Sequence, residues 1–180
     1  MIGCSYKTMN KSPSEQHREA SPTTVRCAVI TVSDTRTLET DRGGQTIIRL
    51  LTEAGHPIVA REIIPDEPDT MTTLVKQIVV SKQTEVILMT GGTGISPRDQ
   101  TFETIDSLCD RVLPGYGELL RWLSYQEIGA SAMLSRALAG VIGDVVVLTM
   151  PGSPNAVKLA MQKLILPELG HLVQQVRKTG

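Results

Sequence analysis

The residues best suited to chemistry in this chain sit in four short segments, each closing an apolar run: Ser33-Asp34-Thr35, Asp66-Glu67 between two prolines, Thr90-Gly91-Gly92-Thr93-Gly94, and Pro151-Gly152-Ser153-Pro154. Glycines lack a Cβ, so successive backbone N–H groups in Gly91 to Gly94 can turn into one concavity and cradle phosphate oxygens, with threonine hydroxyls as extra donors. A tight turn that only needs positive φ explains the same letters. Asp99 follows a few residues later, beside Arg98. A carboxylate near a phosphate cradle repels the anion unless a cation intervenes, which is the pattern of a Mg²⁺ site. A salt bridge from Asp99 to Arg98, or a cap on the next helix, explains the same residue. Asp66, the second acidic candidate, also reads as an ordinary turn residue. Ser33, Asp34 and Thr35 suit phosphate or ribose hydroxyls, and equally an Asx-turn. The Pro151–Pro154 segment is either a pocket wall or a plain strand-to-helix connection.

The elements that must carry these segments follow from hydrophobic periodicity. Val25–Ser33 reads as a central parallel strand buried on both faces. A helix over QTIIRLLTEAG stops at Gly55, and Pro57–Ile64 forms a second strand. Asp69 is placed to cap a helix ending near Ser81, and Val86–Met89 is a third strand that runs into the glycines. Thr101 is placed to cap a helix through Leu108, and a further helix covers Gly117 to about Glu127. VVVLTM, after Asp144, is the fourth predicted strand, and a long helix runs from Ala156 to about Lys178, bent or interrupted at Pro167. Strands alternating with helices predict a three-layer α/β fold, a mostly parallel sheet with helices on both faces. In such folds ligands bind beyond the carboxyl ends of the strands, where all four segments fall.

Bulk properties narrow the function classes. The 180 residues fit one domain, with residues 1–23 as a flexible polar extension and 24–180 as the folded unit. A net charge of −1 and an aromatic content of 3% give no footprint for nucleic acid or an anionic membrane. No run is long enough to span a bilayer and the N-terminus lacks a signal peptide's apolar middle, so the expected location is cytoplasmic. Cys4, Cys27 and Cys109 form no CxxC pair, and His17, His56 and His171 share no metal-ligand spacing. Chemistry through thiols or imidazoles is therefore not expected, and the Arg177-Lys178 end reads as a solvated helix terminus.

In chain order, VITVSDTRT, Asp41 with Gly44, IIPDEPD, TGGTGISPRDQT, GYGELLRWLSYQEIG, SRALAG and MPGSPNA resemble the MoaB/MogA family of molybdenum-cofactor proteins, over roughly Val25 to Val176. The GYGELLRWLSYQEIG and LSRALAG segments are closer to the MoaB branch. The resemblance implies a molybdopterin-binding, MogA-like fold that assembles as a homotrimer or homohexamer. It implies Asp66 and Asp99 as catalytic residues and Mg²⁺ ligands. It places Ser33, Asp34, Thr35, Asp41, Gly91, Gly92, Thr93, Gly94, Glu118, Ser135, Pro151, Gly152, Ser153 and Pro154 against the ligands. Molybdopterin is the implied substrate, ATP the co-substrate, and a molybdenum-insertion protein a further partner.

The implied reaction is attack of the pterin's terminal phosphate on the α-phosphorus of Mg-ATP, releasing pyrophosphate. An anionic phosphate needs no general base, and the task is to bring two polyanions together. The competing reading is a protein that holds molybdopterin without adenylylating it. Two positions depart from the family pattern: Gly43 stands where serine is usual in D-x-S-G, and Phe102 where proline is usual after Thr101. The first removes a hydroxyl, and the second removes the proline pre-organisation of a helix start.

Overall fold

The computed structural model describes residues 21–178. The expectations for most of the N-terminal extension, and for Cys4 and His17, lie outside the described residues. Six strands form one sheet in the order β2-β1-β3-β6-β5-β4. The parallel part comprises β1 (Cys27–Val32), β2 (Ile58–Ile64), β3 (Val86–Thr90) and β6 (Val145–Met150). β5 (Ala139–Ile142) and the short β4 (Arg111–Val112) add an antiparallel edge.

The inner parallel strands β1, β3 and β6 read as nearly continuous apolar runs because both faces are covered, whereas the edge strand β2 (IVAREII) is only partly buried. On β1, Cys27 and Val29 pack with α1 (Arg42–Glu53), α4 (Pro114–Ile128), α5 (Pro154–Ala160) and α6 (Leu166–Arg177). Ala28, Ile30 and Val32 point the other way, toward α2 (Pro68–Ser81) and α3 (Thr101–Leu108). This alternation is the period-two geometry of a strand. Each fully buried side chain such as Leu88 or Ile30 contributes about 1.5–3 kcal/mol of transfer free energy. The three-layer architecture expected from the sequence is the one observed.

Several boundaries differ from the expectation, each for a local reason. Glu67, not Asp69, is the N-cap residue of α2, because Pro68 has no N–H to lose at the first helical position. Gln100 caps α3, and Thr101 is its buried first residue, its N–H donating to the Gly92 carbonyl at 3.1 Å. VVVLTM is the sixth strand, because β4 and β5 precede it. The β5–β6 hairpin turns on Gly143-Asp144 with Gly143 at φ +59°, a two-residue signal the periodicity reading passed over. The helix predicted from Ala156 begins at Pro154 and widens into a π turn at Met161–Ile165, just ahead of Pro167. Proline cannot donate to the carbonyl four residues back, so the ladder loosens there. Arg177 is not merely solvated: it pairs with Glu85, which is 9% exposed and also accepts from the Arg26 N–H.

Candidate active site

The carboxyl ends of β1, β2, β3 and β6 bring the four polar segments to one edge of the sheet. β3 delivers Gly91 and Gly92 with φ of +105° and +63°. A Cβ at Gly91 would stand 2.1 Å from the Val32 carbonyl oxygen. One at Gly92 would stand 2.2 Å from Thr101 Oγ1 and 2.3 Å from Asp66 Oδ2. The turn is thus both left-handed and pressed against its neighbours, two independent reasons for glycine. The Gly91 N–H donates to the Met150 carbonyl at 3.1 Å, while the amides of Gly92, Thr93 and Gly94 make no bond to the described residues.

Two cavities flank this turn and share Gly91, Gly152 and Ser153 as a common wall. The larger, about 800 Å³, takes Ser33, Thr35, Asp41, Gly43 and Pro154 into its lining, together with Arg36 and Arg42. The smaller, about 520 Å³, takes Gly92, Thr93, Gly94, Asp99, Ser135 and Pro151, with Ser124, Glu127, Ile128 and Leu134 opposite. Ser33 Oγ accepts from the Thr35 and Arg36 amides at 3.2 Å each, an ST-turn that shapes the loop.

Asp66 lies beneath the glycine turn, 5% exposed and outside both linings. Its Oδ1 accepts from the Gln100 N–H at 3.1 Å, and Oδ2 takes no bond from the described residues. Burial pushes its carboxyl above the usual aspartate range, opposed by the Gln100 amide and Arg98 and reinforced by the charges of Asp99 and Asp34. Asp99 Oδ2 accepts from the Ser96 N–H at 3.0 Å and leaves Oδ1 without a partner among the described residues. A Cβ at Gly94 would stand 2.8 Å from Asp99 Oδ2, so both aspartates abut the same glycine loop.

Arg98 does not pair with Asp99. Its guanidinium meets Asp34 through Nε (2.7 Å) and Nη2 (2.8 Å), and Glu67 through Nη1 (2.7 Å). The bidentate bond holds the Asp34 carboxyl down to about 2. Asp34 Oδ1 also accepts from the Asp66 N–H at 3.2 Å, so the ends of β1 and β2 are tied to the loop after β3. Asp34 therefore serves this bridge and lies outside both linings.

Asp41 is 2% exposed, and both its oxygens are engaged within the chain. Oδ1 caps α1 through the Gly44 N–H at 2.9 Å, and Oδ2 accepts from Thr31 Oγ1 at 2.7 Å and from Arg61. Burial alone would raise its carboxyl, but Arg61, the Gly44 amide and Thr31 together hold it below the ordinary range. Glu118 is exposed toward the start of α4 and reaches neither cavity. Among the described residues no group of three His, Cys, Asp or Glu converges as a metal cage. His56 Nδ1 accepts from the Val25 N–H at 3.2 Å, and His171 contacts Glu168 and Gln175. The Cys27 thiol is raised to about 12 by burial, with the charge of Glu85 adding.

Sequence reasoning missed Arg36 and Arg42, Ser124 and Glu127, and the roles of Arg98 and Arg136. For the arginines beside Asp34 and Ser135 the residue types were visible, but their partners lie 31 to 64 positions away.

A family model described as a probable molybdopterin binding domain matches residues 28–171. Molybdenum cofactor biosynthesis protein B of Bacillus subtilis (strain 168) is 52% identical over 165 residues, covering 91% of this chain and 97% of the relative. A crystal structure of a molybdenum cofactor biosynthesis protein B superposes with a TM-score of 0.85 at 49% identity, covering 88% of this chain and 99% of that one. The tungsten cofactor synthesizing protein MoaB from Pyrococcus furiosus gives 0.78 at 36% identity, over 88% and 100% of the two chains.

Proposed function

The chain belongs to the molybdopterin-binding family of molybdenum cofactor biosynthesis proteins, and from that membership we propose that it is a molybdopterin adenylyltransferase. The carrying observation is the pair of cavities that meet along Gly91, Gly152 and Ser153. Joining two phosphorylated molecules requires two compartments that open onto one edge, so that nucleophile and electrophile approach in line.

The terminal phosphate oxygen of molybdopterin forms the new bond to the α-phosphorus of ATP. The bond from that phosphorus to the β-phosphate bridging oxygen breaks, and pyrophosphate leaves with its electron pair. No proton need be removed from the nucleophile. The unbonded amides of Gly92, Thr93 and Gly94 supply donors to phosphate oxygens, and Arg36 and Arg42 add positive charge at the larger cavity.

Asp99 and Asp66 each carry one carboxylate oxygen without a partner among the described residues, and hard oxygen donors of this kind fit Mg²⁺. When bound, the ion neutralises the polyphosphate and stabilises the departing charge. Mg²⁺ is commonly held by only one or two carboxylates with phosphate and water completing the shell, so a dense acidic cage is not required. The raised carboxyl of Asp66 fits a group that gains from a cation.

The test is incubation of the protein with molybdopterin and Mg-ATP. Pyrophosphate release with formation of adenylyl-molybdopterin is expected, lost in Asp66→Ala and Asp99→Ala. Tight molybdopterin binding without pyrophosphate would favour the carrier reading, which the burial of Asp66 outside both linings supports. We also propose a homotrimer or homohexamer. Leu119, Trp122, Tyr125 and Ile128 of α4, with Met133 and Leu134 of the following 3₁₀ segment, leave large apolar side chains exposed. Ile128 and Leu134 also line the smaller cavity, so a neighbouring copy on this strip would border it.

A further inference from the structure

We propose that Arg136 is the positioning residue of the anion site, fixing the glycine loop and the seat of Asp66 from outside both cavities. For its ligand this rests on the nucleotide reading above, whereas the loop geometry stands without it. Arg136 gathers backbone carbonyls from a loop some forty residues earlier. Its own N–H donates to the Thr93 carbonyl at 2.9 Å, Nε to the Gly94 carbonyl at 2.6 Å, and Nη2 to the Asp99 carbonyl at 2.8 Å. Nη1 is held by the Glu103 carboxylate, and the guanidinium lies 5.5 Å from the Phe102 ring centroid. The side chain is 27% exposed and lines neither cavity.

In a trans peptide the carbonyl of one residue and the N–H of the next point in opposite directions. Anchoring the Thr93 carbonyl on Arg136 therefore turns the Gly94 N–H away from Arg136. The same rule acts at the other end of the loop. The Asp99 carbonyl faces Arg136, and the Gln100 N–H of that same peptide donates to Asp66 Oδ1. The residue thus sets both amides: its backbone N–H orients the Gly94 N–H, and its guanidinium, through the Gly94 and Asp99 carbonyls, pins the loop and the Gln100 amide that holds Asp66. Fanned, planar donors are required, which guanidinium has and ammonium lacks. Phe102, where the family pattern has proline, gives the cation an aromatic face as well as a place in α3.

The test compares wild type with Arg136→Gln, Arg136→Lys and Glu103→Gln by amide hydrogen exchange at Gln100 and Thr101, both bonded within the loop, with β3 amides as internal reference, and by Mg-ATP titration. In Arg136→Gln the two loop amides should exchange at least about ten-fold faster relative to β3, and Mg-ATP affinity should fall about ten-fold, the loss of one charge-assisted bond or more. Arg136→Lys should recover only part of both effects, and Glu103→Gln should move both in the same direction by less. Loop exchange within two-fold of wild type in a folded Arg136→Gln overturns the proposal, as does full rescue by lysine. Should Arg136→Gln fail to fold, unchanged exchange and affinity in Glu103→Gln overturn it instead. If the loop loosens as expected while wild type itself binds no Mg-ATP, the positioning role stands and the nucleotide reading falls.

Discussion

Replacing Arg61 by methionine removes the guanidinium from Asp41 while keeping an unbranched apolar stem in its place. The side chains of the pair are 17% and 3% exposed, so the aspartate left behind is a charge with little access to water. Its remaining partners, the Gly44 amide and Thr31 hydroxyl, satisfy hydrogen bonds without neutralising it. Breaking a buried pair from one side costs about 3–5 kcal/mol. In a domain of this size that corresponds to a fall in Tm of about 10 °C.

The pH dependence gives a second handle. Asp41's carboxyl is held below its ordinary 3.8 in the folded chain, so its contribution is present above that value and lost as pH falls through the folded pKa. Without Arg61, burial dominates and the carboxyl moves up. The deficit of Arg61→Met should therefore be largest near neutrality and shrink as acid protonates Asp41. Thermal melts of both proteins from pH 7 down to about 4 measure this directly. A deficit below about 1 kcal/mol at pH 7, the range of an exposed pair, would refute the reasoning, as would one that grows on acidification.

Asp66→Asn should melt higher than wild type at neutral pH while losing adenylylation. The raised carboxyl makes Asp66's favourable term complete below 3.8 and lost as pH rises through its folded pKa, so the variant's advantage in scanning calorimetry should widen with pH. Gly91→Ala meets the Val32 carbonyl oxygen at 2.1 Å with φ at +105°, and should lose at least about 3 kcal/mol in urea unfolding. Gly43→Ser places its Cβ 3.4 Å from the Gly152 carbonyl oxygen and Thr90 Oγ1, and should stay within about 1 kcal/mol of wild type. Trp122→Glu, at a position 60% exposed, should shift the mass seen in sedimentation to that of a monomer, and an unchanged assembly would remove α4 from the interface.

What the sequence determined by itself was periodic or local. The runs CAVITV and VVVLTM, apolar but for one threonine each, announced buried parallel strands, and the glycines after β3 announced a left-handed turn, because both follow from the intrinsic geometry of the chain. The ordered motifs likewise carried the family, and the four polar segments meet at one edge as a doubly covered parallel sheet requires. The tertiary structure decided which polar groups are spent inside the protein. Asp34 and Asp41 look like ligand-facing acids in the sequence, yet one is clasped by Arg98 and the other capped and paired by Gly44 and Arg61. Arg136 looked like one basic residue among 18 and proved to hold three carbonyls of the glycine loop. A side chain's type fixes what it can bond. Its partner is fixed by packing across dozens of residues, and no local spacing encodes that distance.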